Sequence, residues 1–207
     1  QYKEDGLLSV FETNPIAFKA TADPDTMYLH EAMQEPDAQQ FKEAMKKEVA
    51  DHTDNGHWKV VTKESVPKGV KILPAVWAMK RKRRISTREV YKHKARLNLG
   101  GHKQEYGVHY WETYSPVVRW TSIRLILILS LVFGWSTQQI DFVLAYPQAD
   151  ISTDHVYIEI PRGFEFKGSR ETHCLHILKN IYGGKDAGRT WNIHLVKGLK
   201  ELGFKQS

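Results

Sequence analysis

The pattern of hydrophobic and polar residues predicts a chain in which helices alternate with short strands. From Asp37 to Asp51, apolar residues recur at helical spacing and charged residues fill the other face, which predicts an amphipathic helix that ends near Gly56. Runs with alternating apolar positions, bounded by turn residues, predict strands. These strands are expected at Trp58–Val61, Pro74–Lys82, Tyr91–Leu97, His155–Ile160 and His173–Leu178.

A second predicted helix, from Ser122 to Phe133, is apolar on nearly every side, and Gly134 follows it. A helix of this composition is typical of a protein interior, so we expect it to be buried. Arg124 is its single charged residue and is expected to extend outward or into a functional site. The run is too short to span a bilayer, which needs about 20 apolar residues.

The segment around Asp141 carries the strongest candidate chemistry. An extended run, Thr137–Ile140, leads into Asp141, and the chain then stays apolar through Ala145. A carboxylate at the end of a buried strand is costly unless a partner compensates its charge. Mg²⁺ would do so, because it takes oxygen ligands and often uses only one or two carboxylates. The alternative is that Asp141 caps the next short helix or turn, and the spacing alone favours this simpler role.

The two ends of the chain differ in organisation. Residues 1–22 have mixed polarity without a sustained period and are interpreted as a linker or docking tail. Asp23–Asp25 predicts a turn, and Thr26–Met33 predicts one or two helical turns. Near the other end, a glycine loop at Asn180–Lys185 opens a helix with Asp186 as its expected cap, and such a loop can receive phosphate or backbone. The apolar face of that helix comprises Ala187, Trp191, Leu195, Leu199 and Leu202.

Composition and charge narrow the class of protein. The chain has 207 residues, of which 41% are hydrophobic and 26% charged, as in a globular protein. The formal net charge of +6 at pH 7 favours a polyanionic partner. The single cysteine, Cys174, excludes an internal disulfide and suits a reducing compartment. The sequence lacks an initiator Met and a secretory signal, and both ends are expected to be cut out of a longer protein.

Two basic segments predict a hairpin with a positive face. Every residue from Lys80 to Arg84 is basic, and the strand Tyr91–Leu97 is also rich in cations. Three interpretations stay open from these residues alone: a solvated edge that resists aggregation, a nuclear targeting run, or a phosphate-binding surface. The candidate nucleic-acid contacts are Lys80, Arg81, Lys82, Arg83, Arg84 and Lys92.

Three histidines, His93, His102 and His109, follow the basic run. Their spacing fits no standard zinc pattern, and no cysteine accompanies them. We therefore expect ordinary surface histidines rather than a metal site.

Several motifs follow one another in a characteristic order from about Asp23 onward. They are Glu31–Glu48 with Asn55–Trp58, Trp77–Lys80, Tyr91–Leu97 with Gly101–Gln104, Tyr110–Val118 with Thr121–Arg124, Gln139–Tyr146, Val156–Phe164, and Leu178–Trp191 with Leu202–Phe204. Each motif is moderately specific, and their order and spacing together are highly specific. On these motifs the chain resembles the N-terminal part of a copia-type retrotransposon reverse transcriptase.

That resemblance implies an α/β (α+β) fold for residues 23–207, with the fingers and an incomplete palm of a right-hand polymerase on a mixed or antiparallel sheet packed by helices. It implies RNA-directed DNA synthesis on an RNA or DNA template–primer with dNTPs, assisted by two Mg²⁺ (or Mn²⁺) ions. It also implies partners in the remainder of the Pol polyprotein: the rest of the palm, a thumb and a ribonuclease H. The expected location is a cytoplasmic virus-like particle or the nucleus, without a membrane.

The resemblance also implies roles for single residues. Asp141 would be a catalytic aspartate and would bind metal together with the carbonyl of Phe142. Tyr146 would lie under the incoming sugar and select deoxynucleotides, although a core aromatic would need the same buried placement. Lys94 and Arg96 would contact the incoming phosphates. The implied nucleotide-binding residues are Lys94, Arg96, Tyr146 and Lys185.

The sequence also departs from the family pattern. Gly184, Gly188 and Pro147–Ala149 differ from the residues common in the family, and Asp186 puts an acid near the expected nucleotide. The family's Tyr-x-Asp-Asp hairpin is expected beyond Ser207, so this chain alone is not expected to polymerise. Two alternatives therefore stay open: a catalytically dead relic that at most binds nucleic acid through its basic fingers, and a structural module whose charge serves solubility.

Overall fold

The computed structural model describes residues 23–205, so the predicted tail at residues 1–22 lies outside the described residues. Helices and strands alternate along the chain, which confirms the predicted mixture. In order they are β1 (Thr26–Tyr28), α1 (Leu29–Ala32), α2 (Ala38–Asp54), β2 (Trp58–Thr62), β3 (Ile72–Leu73), β4 (Ala75–Arg83), β5 (Val90–Leu99), α3 (Trp120–Phe133), α4 (Ala145–Gln148), β6 (Tyr157–Glu159), β7 (His173–Ile177) and α5 (Ala187–Glu201). Short 3₁₀ helices occur at Lys63–Ser65 and Gly101–Lys103.

The described residues fall into two compact units. Unit 1 comprises the residues up to Glu48 together with Trp77–Arg96. Unit 2 comprises Val49–Val76 together with the residues from Leu97 onward. No helix in the described part of the chain is long and apolar enough to cross a membrane.

Unit 1 is built on a three-stranded sheet in the order β1-β4-β5. The predicted hairpin is confirmed, because the backbone N–H of Arg84 donates to the carbonyl of Glu89 at 2.9 Å and β4 pairs with β5. Phe41 of α2 is fully buried, and its ring meets the ring of His93 on β5 edge-on, with 4.9 Å between centroids. The other buried apolar side chains of this unit include Ala32, Met45, Trp77, Met79 and Ala95.

Unit 2 contains a mixed four-stranded sheet in the order β2-β7-β6-β3. Strand β7 pairs antiparallel with both β2 and β6, whereas β3 pairs parallel with β6. The sheet supplies the core of the unit, because apolar side chains on each strand are buried. These include Trp58, Leu73, Ile158, Leu175 and Ile177.

The prediction of helical turns at Thr26–Met33 is wrong for its first half. Thr26–Tyr28 is a strand that pairs antiparallel with Ala78–Lys80, and only Leu29–Ala32 is helical. The backbone N–H of Tyr28 donates to Glu31 Oε2 at 2.6 Å, which anchors the start of this short helix. A pairing partner about 50 residues away in sequence leaves no trace in local periodicity, so the pattern favoured the wrong element.

The prediction that the apolar helix is buried is also wrong. Helix α3 ends where expected, with Gly134 at a φ of +66°, but Ser130 is its only buried residue. Leu125, Leu127 and Leu131 are all exposed, as is Arg124. Hydrophobic composition indicates what a helix can bury, but the described residues provide no surface that covers this one.

This exposure makes a substitution on α3 nearly silent. Leu131 is 85% exposed, so Leu131→Gln should change the free energy of unfolding by less than about 0.5 kcal/mol. Urea unfolding measures the change. The matched control is Leu175→Ala on β7, whose fully buried side chain should cost about 3 kcal/mol. A loss of comparable size in Leu131→Gln would mean that α3 is buried in solution.

Candidate nucleic-acid and nucleotide interface

Four basic side chains of unit 1 form one charged surface on strands β4 and β5. Lys92, Lys94 and Arg96 occupy alternate positions of β5, so they lie on the face opposite the buried Ala95. Lys82 of β4 is close enough to act electrostatically on Lys94. We call these four residues, Lys82, Lys92, Lys94 and Arg96, the cationic face.

The cationic face is electrostatically crowded. Partial burial lowers the pKa of Lys94, and the charges of Lys82, Arg96 and Lys92 lower it further. Glu48 opposes this effect as the smallest contribution. Because like charges that lie close together disfavour the charged form, a bound anion would relieve the repulsion. The arrangement is thus suited to an anionic ligand such as phosphate.

The other basic side chains of β4 have carboxylate partners within unit 1. Arg81 Nε donates to Asp37 Oδ2 at 2.7 Å and its Nη2 to Asp37 Oδ1 at 2.6 Å. This guanidinium holds the pKa of Asp37 well below its usual range. Lys80 pairs with Asp23, and Arg83 pairs with Asp25, each at 2.8 Å between nitrogen and oxygen. Nucleic-acid binding by these residues stays a prediction, while their observed contacts are ion pairs.

The last member of the basic run, Arg84, has an aromatic neighbour. Its guanidinium carbon lies 5.9 Å from the centroid of the Tyr91 ring, across the hairpin. The run that looked continuous in the sequence is therefore divided. Residues 80, 81 and 83 pair with acids, while residue 82 belongs to the cationic face.

Asp141 lies in an exposed, irregular segment of unit 2. The predicted strand before it is wrong, because Thr137–Ile140 forms no strand and is exposed. The alternative role as the cap of the next helix is wrong as well, since Leu144 occupies the N-cap position of α4, and a role in the turn before that helix stays a prediction. A strand forms only where a neighbour accepts its backbone hydrogen bonds, and the described residues offer none here.

The described residues do not complete a metal site. No group of three or more His, Cys, Asp or Glu side chains among them could hold a metal ion. Asp141 and the carbonyl of Phe142 would provide one charged and one neutral oxygen ligand, so a Mg²⁺ ion held there would need water, substrate phosphates or a further carboxylate at its other positions. The ring of Phe142 instead packs edge-on against Trp191 of α5, with 5.1 Å between centroids.

Tyr146 belongs to a better-supported part of unit 2. It lies on α4, and its half-buried ring meets Tyr182 edge-on, with 4.9 Å between centroids. The chain that follows α4 is attached to the start of the glycine loop. Asn180 N donates to the carbonyl of Ala149 at 3.2 Å, and Asn180 Nδ2 donates to the carbonyl of Asp150 at 2.8 Å. These contacts fix the position of Tyr146 relative to the loop.

The glycine loop docks on the last residue of β5 and on the segment that follows it. The backbone N–H of Leu99 donates to the carbonyl of Tyr182 at 2.7 Å. The backbone N–H of Lys185 donates to Oε1 of the buried Gln104 at 2.7 Å. The hydrogen bond of this loop N–H is therefore satisfied by a side-chain oxygen of the same unit. The ammonium of Lys185 lies 4.8 Å from the centroid of the Tyr110 ring and remains exposed.

Asp186 occupies the predicted N-cap position of α5, but its side chain makes no capping hydrogen bond. The carboxylate is buried and accepts a hydrogen bond from the hydroxyl of Ser152. Of the apolar face predicted for this helix, Ala187 is buried while Leu199 and Leu202 are exposed. Asp186 thus joins the helix to the segment after α4.

The sequence of this chain has relatives among known proteins. Residues 55–207 match the family described as reverse transcriptase (RNA-dependent DNA polymerase). The chain belongs to the reverse transcriptase family. The copia-type resemblance predicted from the motifs is confirmed, and the α/β composition agrees with it. No solved structure matches the chain.

Similar reverse transcriptase sequences occur in plant transposons. The retrovirus-related Pol polyprotein from transposon TNT 1-94 of Nicotiana tabacum is 34% identical over 172 residues, which is 83% of this chain and 12% of the relative. Those from transposons RE2 and RE1 of Arabidopsis thaliana are 34% and 32% identical over 81% and 93% of this chain, and 11% and 12% of the relatives. The chain therefore spans only about an eighth of the length of these relatives.

The histidine prediction for this reverse transcriptase chain needs one correction. His102 is exposed as expected, but His109 is fully buried, and its Nδ1 accepts the backbone N–H of Glu105 at 3.0 Å. A loop that folds back on itself can bury a polar ring once a backbone group satisfies one nitrogen. His93 is half-buried, with Nε2 at 2.6 Å from Asp37 Oδ2.

Sequence reasoning missed the tyrosines around Lys185 in this reverse transcriptase chain. Tyr106 and Tyr110 lie in the segment after β5, and their rings meet edge-on with 5.9 Å between centroids. Tyr110 contacts Lys185 across 75 positions of sequence. The only signal available in the sequence was the density of aromatic residues in that segment.

Proposed function

We propose that the chain forms the fingers and part of the palm of a copia-type reverse transcriptase, which synthesises DNA on a template–primer from dNTPs. Family membership supports the reaction class, and the Pol polyprotein relatives support further domains of the same polyprotein as partners. The rest of the palm, a thumb and a ribonuclease H would complete that assembly.

The observation that carries the proposal is the cationic face of unit 1. Lys82, Lys92, Lys94 and Arg96 lie close enough for like-charge repulsion to lower the pKa of Lys94. Such clustering is unfavourable in the free protein, whereas a phosphate backbone neutralises it and releases condensed counterions. Contacts between Lys94, Arg96 and the phosphates of an incoming nucleotide or of the template–primer fit this geometry.

Unit 2 has candidate nucleotide contacts of its own. Tyr146 would meet the incoming sugar, and its contact with Tyr182 supports a fixed ring position. Lys185 would meet phosphate, because its ammonium is held by Gln104 and Tyr110 while remaining exposed. Asp141 and the carbonyl of Phe142 would contribute ligands to a metal site for Mg²⁺ or Mn²⁺. The other positions of the ion would be filled by water, substrate phosphates or further carboxylates.

The proposal predicts that the double variant Lys94→Ala/Arg96→Ala binds a labelled RNA–DNA template–primer at least about tenfold more weakly than the wild type at low salt. The slope of log affinity against log salt should fall by about two, one for each lost phosphate contact. Fluorescence anisotropy titrations between 50 and 200 mM salt measure both quantities.

The matched control is Lys42→Ala, which removes an exposed lysine of the same unit from helix α2. It should change affinity and salt slope far less than the double variant. Equal changes in affinity and salt slope in the two variants would mean that the cationic face does not contact phosphate. Steep salt dependence in the wild type separates nucleic-acid binding from a structural module whose charge serves only solubility.

A further inference from the structure

In unit 2, two tyrosine rings and a lysine ammonium lie together: Tyr106, Tyr110 and Lys185. The proposed nucleotide contact of Lys185 does not account for the two tyrosines. The rings of Tyr106 and Tyr110 meet edge-on at 5.9 Å, and the ammonium of Lys185 lies 4.8 Å from the centroid of Tyr110. The side chain of Tyr106 is 71% exposed, although its ring could bury a large apolar area. We call Tyr106, Tyr110 and Lys185 the tyrosine–lysine cluster.

The loop that carries the two tyrosines is tightly built. The carbonyl of Glu105 accepts the backbone N–H of His109 at 3.0 Å, and Gly107 N donates to the carbonyl of Tyr110 at 2.9 Å. Gly107 has a φ of +79°, a conformation that favours glycine. The buried His109 lies beneath the loop and accepts the N–H of Glu105. The exposed ring of Tyr106 is thus presented on a preorganised support.

The ammonium of Lys185 is also held in place. Its Nζ donates to the carbonyl of Gln104 and to the hydroxyl of Tyr110, each at 3.3 Å. An ammonium has three donors, so one donor remains for a ligand in addition to the charge. The carboxylate of Glu105, which precedes Tyr106 in the chain, pairs with Lys71.

An aromatic face beside a fixed cation matches the chemistry of single-stranded nucleic acid. Bases stack on aromatic side chains irrespective of sequence, while cations track the phosphates. An apolar protein surface would stack on Tyr106 equally well, but it would bury the ammonium of Lys185 without a counter-charge, which is costly. The combination of ring and ammonium therefore favours a nucleotide strand over an apolar protein partner.

We propose that the tyrosine–lysine cluster binds an unpaired nucleotide of a single strand, with the base stacked on Tyr106 and the backbone phosphate bound by Lys185. The proposal rests on the proposed polymerase function, in which the strand is the unpaired part of the template. It adds Tyr106 and Tyr110 to the expected contacts and changes the role of Lys185 from the incoming nucleotide to the template strand.

The test uses the whole chain and a labelled, unstructured oligodeoxythymidylate of about 12 nucleotides, a length within the range that ssDNA-binding folds cover. Tyr106→Ala should weaken binding about tenfold, the loss of one stacked base, and leave the salt slope unchanged. Tyr106→Phe should bind like the wild type, since the ring face remains. Lys185→Ala should lower the magnitude of the salt slope by about 0.7, the value for one phosphate contact on a single strand.

Two controls make the result specific. Tyr28→Ala removes another exposed tyrosine, which lies in unit 1, and should leave single-strand binding unchanged. Free thymidine monophosphate should compete poorly, because it offers one stacking contact without a continuing backbone. If thymidine monophosphate competed as strongly as the oligonucleotide, and Tyr106→Ala abolished this competition, the cluster would bind a free nucleotide. The proposal that it binds a single strand would then be wrong.

The outcome also separates this inference from the polymerase proposal. Equal single-strand affinity of Tyr106→Ala and wild type would overturn the tyrosine–lysine cluster as a binding site. If Lys94→Ala/Arg96→Ala still weakened template–primer binding in the same preparation, the proposed function would stand. If instead Tyr106→Ala weakened single-strand binding while Lys94→Ala/Arg96→Ala left template–primer binding unchanged, the tyrosine–lysine cluster would stand as a binding site. The cationic face would then not be the phosphate contact.

Discussion

Gly183→Ala should lower the free energy of unfolding by roughly 4 kcal/mol, the sum of backbone strain and a steric clash. Gly183 has a φ of +88°, which side chains other than glycine rarely adopt. A Cβ there would lie 2.2 Å from the carbonyl oxygen of Leu99 and 3.1 Å from its nitrogen. Neither backbone atom can move freely, since Leu99 N also donates to the carbonyl of Tyr182. Urea unfolding followed by circular dichroism measures the loss.

Gly198→Ala provides a matched control for this substitution. Gly198 lies within helix α5, and an added Cβ would meet no atom within 4 Å. Alanine is the better helix former, so this variant should gain about 0.5 to 1 kcal/mol. Losses of similar size at both positions would contradict the tight junction between the glycine loop and β5.

Local signals account for the part of the fold that could be predicted. Helix α2 and the main strands follow from residue periodicity, and their observed bounds differ from the prediction by only a few residues. Gly134 ends α3 and Gly163 turns the chain after β6, both with positive φ as their sequence context indicates. Such features need only neighbours along the chain, which a sequence pattern contains.

Burial and pairing could not be predicted, because they depend on which partner surfaces the fold provides. The apolar residues of α3 indicate a buried helix, yet Leu127 and Leu131 are exposed. The exposed apolar surface continues through Trp135, Ile140 and Val143 around Asp141, in a segment that forms no strand. Hydrophobicity alone therefore predicted a protein interior that the described residues do not form.

The candidate site was predictable in composition but not in arrangement. The cationic run and the basic strand were both evident, and alternation along β5 follows from strand geometry. The division of the run was not evident, because Arg81 meets Asp37 across 44 positions of sequence. The tyrosine–lysine cluster is a similar case, since its rings and its ammonium come from loops far apart along the chain.

Acid should destabilise unit 2 through the buried His57, by about 3 kcal/mol between pH 7 and pH 4. His52 and His57 are buried with their Nδ1 atoms 2.9 Å apart. Burial, followed by the charges of His52 and Lys179, lowers the pKa of His57 to about 4 from its ordinary 6.5. The unfolded chain therefore binds a proton over this range that the folded state excludes. Stability is full above pH 6.5 and falls as the pH drops towards 4.

His57→Gln isolates this effect, because glutamine forms hydrogen bonds but does not titrate. Carboxylates that titrate below pH 5, such as Asp37, contribute equally to the wild type and the variant. The difference between their urea unfolding free energies should therefore shrink steadily from pH 7 to pH 4, by about 3 kcal/mol in total. Parallel curves would mean that folded His57 accepts its proton as readily as the unfolded chain does. The pair would then be open to solvent, contrary to its burial beside the Trp58 ring, which stacks on His52 at 4.8 Å between centroids.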